Sequence, residues 1–117
     1  MKFMIILTAD AEASDYAPQA EKDRVYNAHM EVVRELESKK KLISSMRLRP
    51  SKEAVTIRSK NGKSVSVDGP FSETKEVLGG FYVIDCESRD EAVEWATKMP
   101  HFGDLRYSAM EVRQIWE

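Results

Sequence analysis

The stretch from Val67 to Gly80, VDGPFSETKEVLGG, constrains the fold of this chain more than any other part. A run of β-type composition must stop at Asp68-Gly69-Pro70, because glycine adopts backbone angles closed to other residues and proline has no N–H for a sheet ladder. We expect a turn there, then one helical turn over Ser72–Glu76 with Ser72 as its cap, and re-entry into a strand after Gly79-Gly80. A carboxylate and an aromatic side chain at such a strand end are typical of a site, although a purely geometric connecting loop explains the same residues equally well.

An Asn-Gly pair, Asn61-Gly62, separates two short segments of β-type composition, Ala54–Ser59 and Ser64–Val67. Asn-Gly is the strongest short-range signal for a β-hairpin, because both residues tolerate a positive φ. The sequence therefore predicts a hairpin that leads directly into Asp68.

Hydrophobic periodicity predicts the remaining elements. Val25, His29, Val32 and Leu36 recur at helical spacing, which predicts an amphipathic helix from about Pro18 to about Lys40. A capping box at Ser88–Glu91 opens a second helix, which Pro100 ends. We expect Asp10–Ala17 to be a loop. The strands predicted outside the hairpin are Phe3–Thr8, Leu42–Arg49, Phe81–Cys86 and Met110–Trp116.

This order of elements predicts an α+β fold. Two βαβ halves with both helices on one face of an antiparallel sheet form the ferredoxin-like βαββαβ plan, here with an inserted β-hairpin. The 117 residues suffice for one domain, residues 1–117, with a core of its own. The other face of the sheet would expose apolar side chains from Phe3–Leu7, with Ile84, Ile115 and Trp116 adding to them. We therefore expect a homodimer that covers this face.

The charge balance and the cysteine count exclude several classes of function. A formal net charge of -2 provides no long-range attraction to nucleic acid or to an anionic membrane. The single cysteine, Cys86, excludes an internal disulfide and is most simply a core residue in a reducing compartment. The apolar run Phe3–Leu7 is too short for a signal peptide or a membrane span. We expect a cytoplasmic protein that binds neither nucleic acid nor membrane.

Four motifs spread over the chain resemble those of the DGPF-domain proteins, also called YCII-related proteins: VDGPFSETKE, GGFYVID, SRDEAVEWATKMP and EVRQIWE. The tetrad Asp68-Gly69-Pro70-Phe71, with Glu73–Glu76 and Gly80 at the expected offsets, makes the resemblance specific. It implies a dimeric α/β barrel, in which two ferredoxin-like subunits pair their sheets, but no known reaction. Many family members are encoded near sigma factors of the extracytoplasmic-function type. Related dimeric barrels include small oxygenases, isomerases and dechlorinases that act on aromatic substrates.

His29 and Asp68 are the candidate catalytic residues. His29 lies near the centre of the apolar face of the first predicted helix, so it either bonds a core hydroxyl or faces a pocket between helix and sheet. In the second case Asp68 would orient the imidazole as a general base. Distant YCII proteins carry a paired His and Asp proposed as catalytic, but no role is transferred from that pair to these residues.

The candidate substrate-binding residues are Arg47, Pro70, Phe71, Glu73 and Tyr82. Arg47 and Arg49 share one strand face, where they would either clamp a carboxylate or phosphate or pair with Glu111 or Glu73. Phe71 and Tyr82 are core or pocket lining. His101 and Asp104 lack the spacing of a metal site, and the sequence has no nucleotide-binding or serine-hydrolase motif. We therefore expect neither a metal nor a cofactor.

Two hypotheses about function follow. The first is a small enzyme or ligand-binding barrel, with a pocket near the DGPF turn for a small, partly apolar organic molecule. The alternative is a non-catalytic interaction module associated with a sigma factor or another transcription regulator.

Overall fold

A computed structural model of the chain describes residues 1–72, 74–100 and 108–117. In chain order its elements are β1 (Lys2–Asp10), α1 (Ala11–Tyr16), α2 (Gln19–Ser38), β2 (Leu42–Arg47), a 3-10 turn (Ser51–Glu53), β3 (Val55–Lys60), β4 (Lys63–Asp68), β5 (Glu76–Asp85), α3 (Arg89–Thr97) and β6 (Met110–Gln114). A four-stranded sheet has the order β2-β5-β1-β6, with antiparallel neighbours throughout. The predicted α+β class is confirmed, and this strand order is compatible with a ferredoxin-like fold.

The hydrophobic core lies on one face of this sheet. Alternate residues of β1 and β5 point into it, and Phe3, Ile5 and Ile84 are at most 1% exposed. Leu36 of α2 and Trp95 of α3 pack against the same cluster, so both helices cover the same face. Burial of side chains of this size stabilises the fold by about 1.5–3 kcal/mol each.

Because α2 and α3 both pack on the core face, neither helix covers the opposite face of the sheet. It carries Met4 and Ile6 of β1 beside their cross-strand partners Val83 and Phe81 of β5, all partly buried. Met46 of β2 pairs with Phe81 on this face and is 61% exposed. Ile84 was predicted to lie on this surface as well, and that prediction is wrong, because Ile84 has the parity of the core face. Met4, Ile6, Met46, Phe81 and Val83 are referred to below as the open sheet face.

The prediction of a loop over Asp10–Ala17 is wrong for its central residues, which form α1. The Asp10 carboxylate accepts hydrogen bonds from the backbone N–H groups of Glu12 and Ala13, at 3.0 and 3.3 Å. Such an N-cap satisfies donors that a short helix otherwise leaves unpaired. The cap lies at the end of β1 and turns the chain directly from strand into helix.

β5 begins earlier than predicted. Glu76 already belongs to the strand, and its carbonyl accepts hydrogen bonds from the hydroxyls of Ser72 and Thr74, so the expected helical turn does not reach it. Gly79 and Gly80 lie inside β5 instead of preceding it. A Cβ atom on Gly80 would lie 2.5 Å from the Met46 carbonyl oxygen, so glycine permits the close approach of β2.

β3 and β4 pair only with each other, as a separate two-stranded sheet. Asn61 and Gly62 occupy the turn with φ of 53° and 76°, the left-handed pair that tight hairpins require. Val55, Ile57, Val65 and Val67 are between 39% and 68% exposed. The hairpin therefore presents apolar side chains to the solvent on both faces.

Over the part of the chain that the structure describes, no helix combines the length and the hydrophobicity needed to cross a membrane.

Candidate functional site

A cavity of about 500 Å³ lies between α2 and the core face of the sheet. α2 contributes Lys22, Tyr26, His29 and Val33, which follow one helical face at spacings of i, i+4, i+7 and i+11. The sheet contributes residues of β1, β2 and β5. The volume is within the usual range of about 300–1,000 Å³ for small-molecule sites.

A hydrogen bond between helix and sheet forms the polar centre of this cavity. The Nδ1 atom of His29 lies 2.8 Å from the hydroxyl oxygen of Tyr82, and the two rings are stacked with their centroids 5.7 Å apart. Tyr82 is 4% exposed because it points from β5 into the core, whereas His29 is partly buried. Which of the two atoms donates depends on the tautomer of the imidazole.

Both partners of this hydrogen bond are uncharged at neutral pH. Burial, together with the positive charge of Arg47, lowers the pKa of His29 to about 4. Burial raises the pKa of Tyr82 to about 12. The phenol therefore keeps its proton, and the imidazole keeps a lone pair. When Nδ1–H donates to Tyr82, that lone pair is on Nε2, which can then accept a proton from a bound molecule.

Basic side chains line the cavity around this pair. The Cζ atom of Arg47 lies 5.6 Å from the centroid of the Tyr26 ring, a cation–π contact. Arg49 also lines the cavity, but its Nε atom is 3.2 Å from the Glu53 carboxylate. Neither Arg47 nor Lys22 has a carboxylate partner among the described residues. The cavity thus contains two cations that no carboxylate of the described chain neutralises.

The remaining wall of the cavity is largely apolar. It includes Leu7 of β1 and Val25, Met30 and Val33 of α2. Contact between this wall and the hydrocarbon part of a ligand favours binding, because it removes apolar surface from water. The cavity therefore suits a molecule with an apolar body and a polar end.

Three of the residues predicted for the site lie together, and three do not. His29, Arg47 and Tyr82 line the cavity, whereas Asp68, Pro70 and Phe71 are not among its lining residues. Asp68 ends β4 in an exposed position, and Phe71 is 61% exposed. The hydrogen bond of the His29 ring goes to Tyr82. Glu73, the remaining candidate, lies outside the described residues.

The turn that contains Asp68 is attached to the hairpin. The Gly69 backbone N–H donates to the Ala54 carbonyl at 2.7 Å, and the Thr56 hydroxyl donates to the Gly69 carbonyl at the same distance. The guanidinium of Arg58 donates to the Phe71 carbonyl at 3.1 Å. These bonds fix the DGPF turn relative to β3 and β4.

Lys22, Tyr26 and Ser45 line the cavity but were not predicted from the sequence as site residues. Helical spacing from His29 would have identified Lys22 and Tyr26, seven and three residues before it. Ser45 carried no comparable signal, because only its cross-strand pairing with Tyr82 brings it to the site.

Elsewhere in the described residues, neither the cysteine nor the acidic side chains form a further candidate site. Cys86 is buried, and burial together with Glu91 raises the pKa of its thiol to about 12, so the reactive thiolate is disfavoured. No group of three or more His, Cys, Asp or Glu side chains within the described ranges could hold a metal ion. His101 and Asp104 lie outside those ranges.

Comparison with known proteins places the chain in a family. The model of the YCII-related domain matches residues 1–117. An uncharacterized protein of Rhizobium meliloti (strain 1021), R00369, is 38% identical over 96 residues, which are 82% of this chain and 77% of that protein. The resemblance drawn from the sequence motifs is thereby confirmed, and the chain belongs to the family of proteins with a YCII-related domain.

Proposed function

We propose that the protein is a homodimeric, small-molecule-binding domain whose ligand occupies the cavity between α2 and the sheet. One observation carries the proposal: a cavity of about 500 Å³ surrounds the uncharged His29–Tyr82 pair. Uncharged, partly buried polar groups among apolar side chains are the usual composition of a ligand site. The sequence suggested a pocket between the helices and the sheet near His29 and the DGPF turn; His29 lines this cavity, whereas Asp68, Pro70 and Phe71 do not.

In this proposal His29 is the proton acceptor for a bound molecule. Tyr82, 2.8 Å away, orients the imidazole in place of the Asp68 carboxylate expected from the sequence. An imidazole with a pKa of about 4 is deprotonated at neutral pH but is a weak base. A ligand that neutralises Arg47 strengthens that base, because it removes one of the two causes of the low pKa.

The homodimer is the second part of the proposal, and the open sheet face supports it. Four partly buried apolar side chains from the two central strands, Met4, Ile6, Val83 and Phe81, lie together there, with Met46 beside them. A stable interface buries about 1,600 Å² in total, which two stacked four-stranded sheets can supply. Pairing of two such faces would produce the dimeric α/β barrel.

The test is a fragment screen by ligand-observed NMR with two matched tryptophan variants. Ser45→Trp places a large side chain at the cavity wall, whereas Ser59→Trp makes the same change on the exposed hairpin strand β3. We expect apolar fragments with one polar group to bind wild type and Ser59→Trp, and binding to Ser45→Trp to fall by tenfold or more. Equal binding by all three proteins would place the ligand elsewhere and overturn the proposal.

A second candidate function is the interaction module, and the hairpin favours it. Val55, Ile57, Val65 and Val67 expose apolar surface on a two-stranded sheet, which is marginally stable in water without a partner. A sigma factor or another regulator would bind this surface. A pull-down that retains such a protein with Ser45→Trp but loses it with Ile57→Lys would favour this function over the cavity.

A further inference from the structure

We infer that the ligand of the cavity is an organic carboxylate, with its carboxylate bound by Arg47 and Lys22 and its apolar body packed between α2 and the sheet. This inference rests on the proposed function and names the class of molecule that the same site accepts. It follows from the charges on the cavity wall, from the contact that holds Arg47, and from the apolar residues opposite.

The cavity wall is positively charged in a chain that is negative overall. Lys22, Arg47 and Arg49 line it, and none of the described lining residues is acidic. The whole chain has twenty acidic residues and a formal charge of -2. Glu53 pairs with Arg49 from outside the lining, and neither Arg47 nor Lys22 forms an ion pair within the described residues. Two cations that face a partly enclosed space attract an anion, because the local potential is focused there.

Arg47 is held in a way that leaves its donors available. Its Cζ atom lies 5.6 Å from the centroid of the Tyr26 ring, a cation–π contact, and no hydrogen bond of its guanidinium N–H groups is found among the described residues. The N–H groups therefore remain for a planar oxyanion, to which arginine binds through two parallel hydrogen bonds. Tyr26 thus positions Arg47 from α2, on the same helical face as Lys22.

The charge of Arg47 also acts on His29, which lies in the same cavity. A carboxylate bound at Arg47 would therefore be close enough to influence the imidazole. Its apolar body would contact Val25, Met30 and Val33, which line α2 beside His29. In this arrangement the apolar body of the ligand lies beside the His29–Tyr82 pair, and its carboxylate lies at Arg47.

The test compares benzoate with benzamide, which has the same shape but no charge. Binding to the full-length protein would be measured by calorimetry and by NMR shifts of the methyl groups of Val25 and Val33. Arg47→Gln removes the proposed contact. Arg34→Gln is the matched control, because Arg34 is an exposed arginine of α2 that does not line the cavity.

We expect benzoate to bind wild type at least tenfold more tightly than benzamide, and Arg47→Gln to weaken benzoate by about tenfold or more, as expected for loss of a charge-assisted hydrogen bond. Benzamide should bind both proteins within about twofold of each other, and Arg34→Gln should resemble wild type. The affinity of Arg47→Lys for benzoate should lie between those of wild type and Arg47→Gln, because lysine keeps the charge but cannot form the bidentate hydrogen bonds of arginine.

Two results would overturn the inference in different ways. If benzamide binds the cavity as tightly as benzoate, or if Arg47→Gln leaves benzoate unaffected, the cavity binds small molecules without selecting anions, and the proposed function stands alone. If neither probe shifts the cavity methyl groups and the fragment screen finds no binding that Ser45→Trp abolishes, the inference and the proposed function both fail.

Discussion

His29 and Tyr82 are 53 residues apart in the sequence, and their side chains meet at 2.8 Å between Nδ1 and the phenolic oxygen. The contact joins the middle of α2 to the second half of β5. It satisfies a buried hydroxyl and a partly buried imidazole at once, and burial keeps both groups neutral at physiological pH. The chemistry proposed for the cavity depends on this pair.

The first prediction concerns the ionisation of His29. An NMR titration should give a midpoint near pH 4, well below the ordinary 6.5, because burial and Arg47 disfavour the imidazolium. His101→Gln removes the other histidine of the chain and leaves a single imidazole signal. A midpoint near 6.5 would mean that the ring is solvated and that the described environment is wrong.

The same shift predicts how stability depends on pH. Between about pH 4 and pH 6.5 the unfolded chain holds a proton on His29 that the folded chain does not. The free energy of unfolding therefore rises with pH across this window and falls as the pH is lowered through it. In urea denaturation, the free energy of unfolding of His29→Gln should fall less between pH 6.5 and pH 4 than that of wild type. An identical dependence on pH in the two proteins would contradict this prediction.

The second prediction tests the hydrogen bond itself. Tyr82→Phe keeps the buried ring and removes only the hydroxyl, so it should lower the free energy of unfolding by about 1 kcal/mol. Tyr26→Phe is the control, since Tyr26 is 49% exposed and no hydrogen bond of its hydroxyl is found among the described residues. Equal stability of Tyr82→Phe and wild type would show that the bond contributes nothing.

The third prediction separates the two adjacent glycines of β5. Gly80→Ala would bring its Cβ atom to 2.5 Å from the Met46 carbonyl oxygen, so β2 must move, at a cost of about 1–3 kcal/mol. Gly79→Ala should be nearly neutral, because the nearest atom to its Cβ would be the Leu7 carbonyl oxygen at 3.7 Å. Thermal unfolding of both variants would measure the difference, and a reversed order would contradict the close packing at Gly80.

The fourth prediction tests the homodimer. Val83→Glu places a charge in the middle of the open sheet face, and we expect sedimentation at micromolar concentration to change from dimer to the 13.4 kDa monomer. Val93→Glu, a charge on a 41% exposed position of α3, should remain dimeric. Monomeric wild type would refute the dimer, and a dimer that survives Val83→Glu would place its interface elsewhere.

Periodicity and turn chemistry predicted most of the secondary structure. The helical spacing of Val25, Val32 and Leu36 indicated α2, and the three residues are buried as expected. The predictions failed where local contacts decide the structure. Asp10 caps a helix that the composition of the segment did not indicate. Gly80 lies inside a strand, where the close approach of the β2 backbone requires a residue without a side chain. Such contacts depend on tertiary packing, about which the hydrophobic periodicity of the sequence gives no information.

The candidate site was predicted residue by residue but not as an arrangement. His29, Arg47 and Tyr82 were each identified from the sequence, and the cavity contains all three. Their grouping depends on how α2 packs and on the register that pairs β2 with β5. Asp68 was expected beside His29 because it ends a strand. That strand is β4, which belongs to the separate hairpin sheet and not to the sheet beneath α2.

The most direct test of the cavity as the ligand site is a crystal structure of the protein soaked with benzoate. We predict electron density for the benzoate between α2 and the sheet, with its carboxylate at hydrogen-bonding distance from Arg47 and its ring toward His29. Density confined to the hairpin or to another surface, with the cavity open to solvent but empty, would contradict the assignment of the cavity as a site for organic carboxylates.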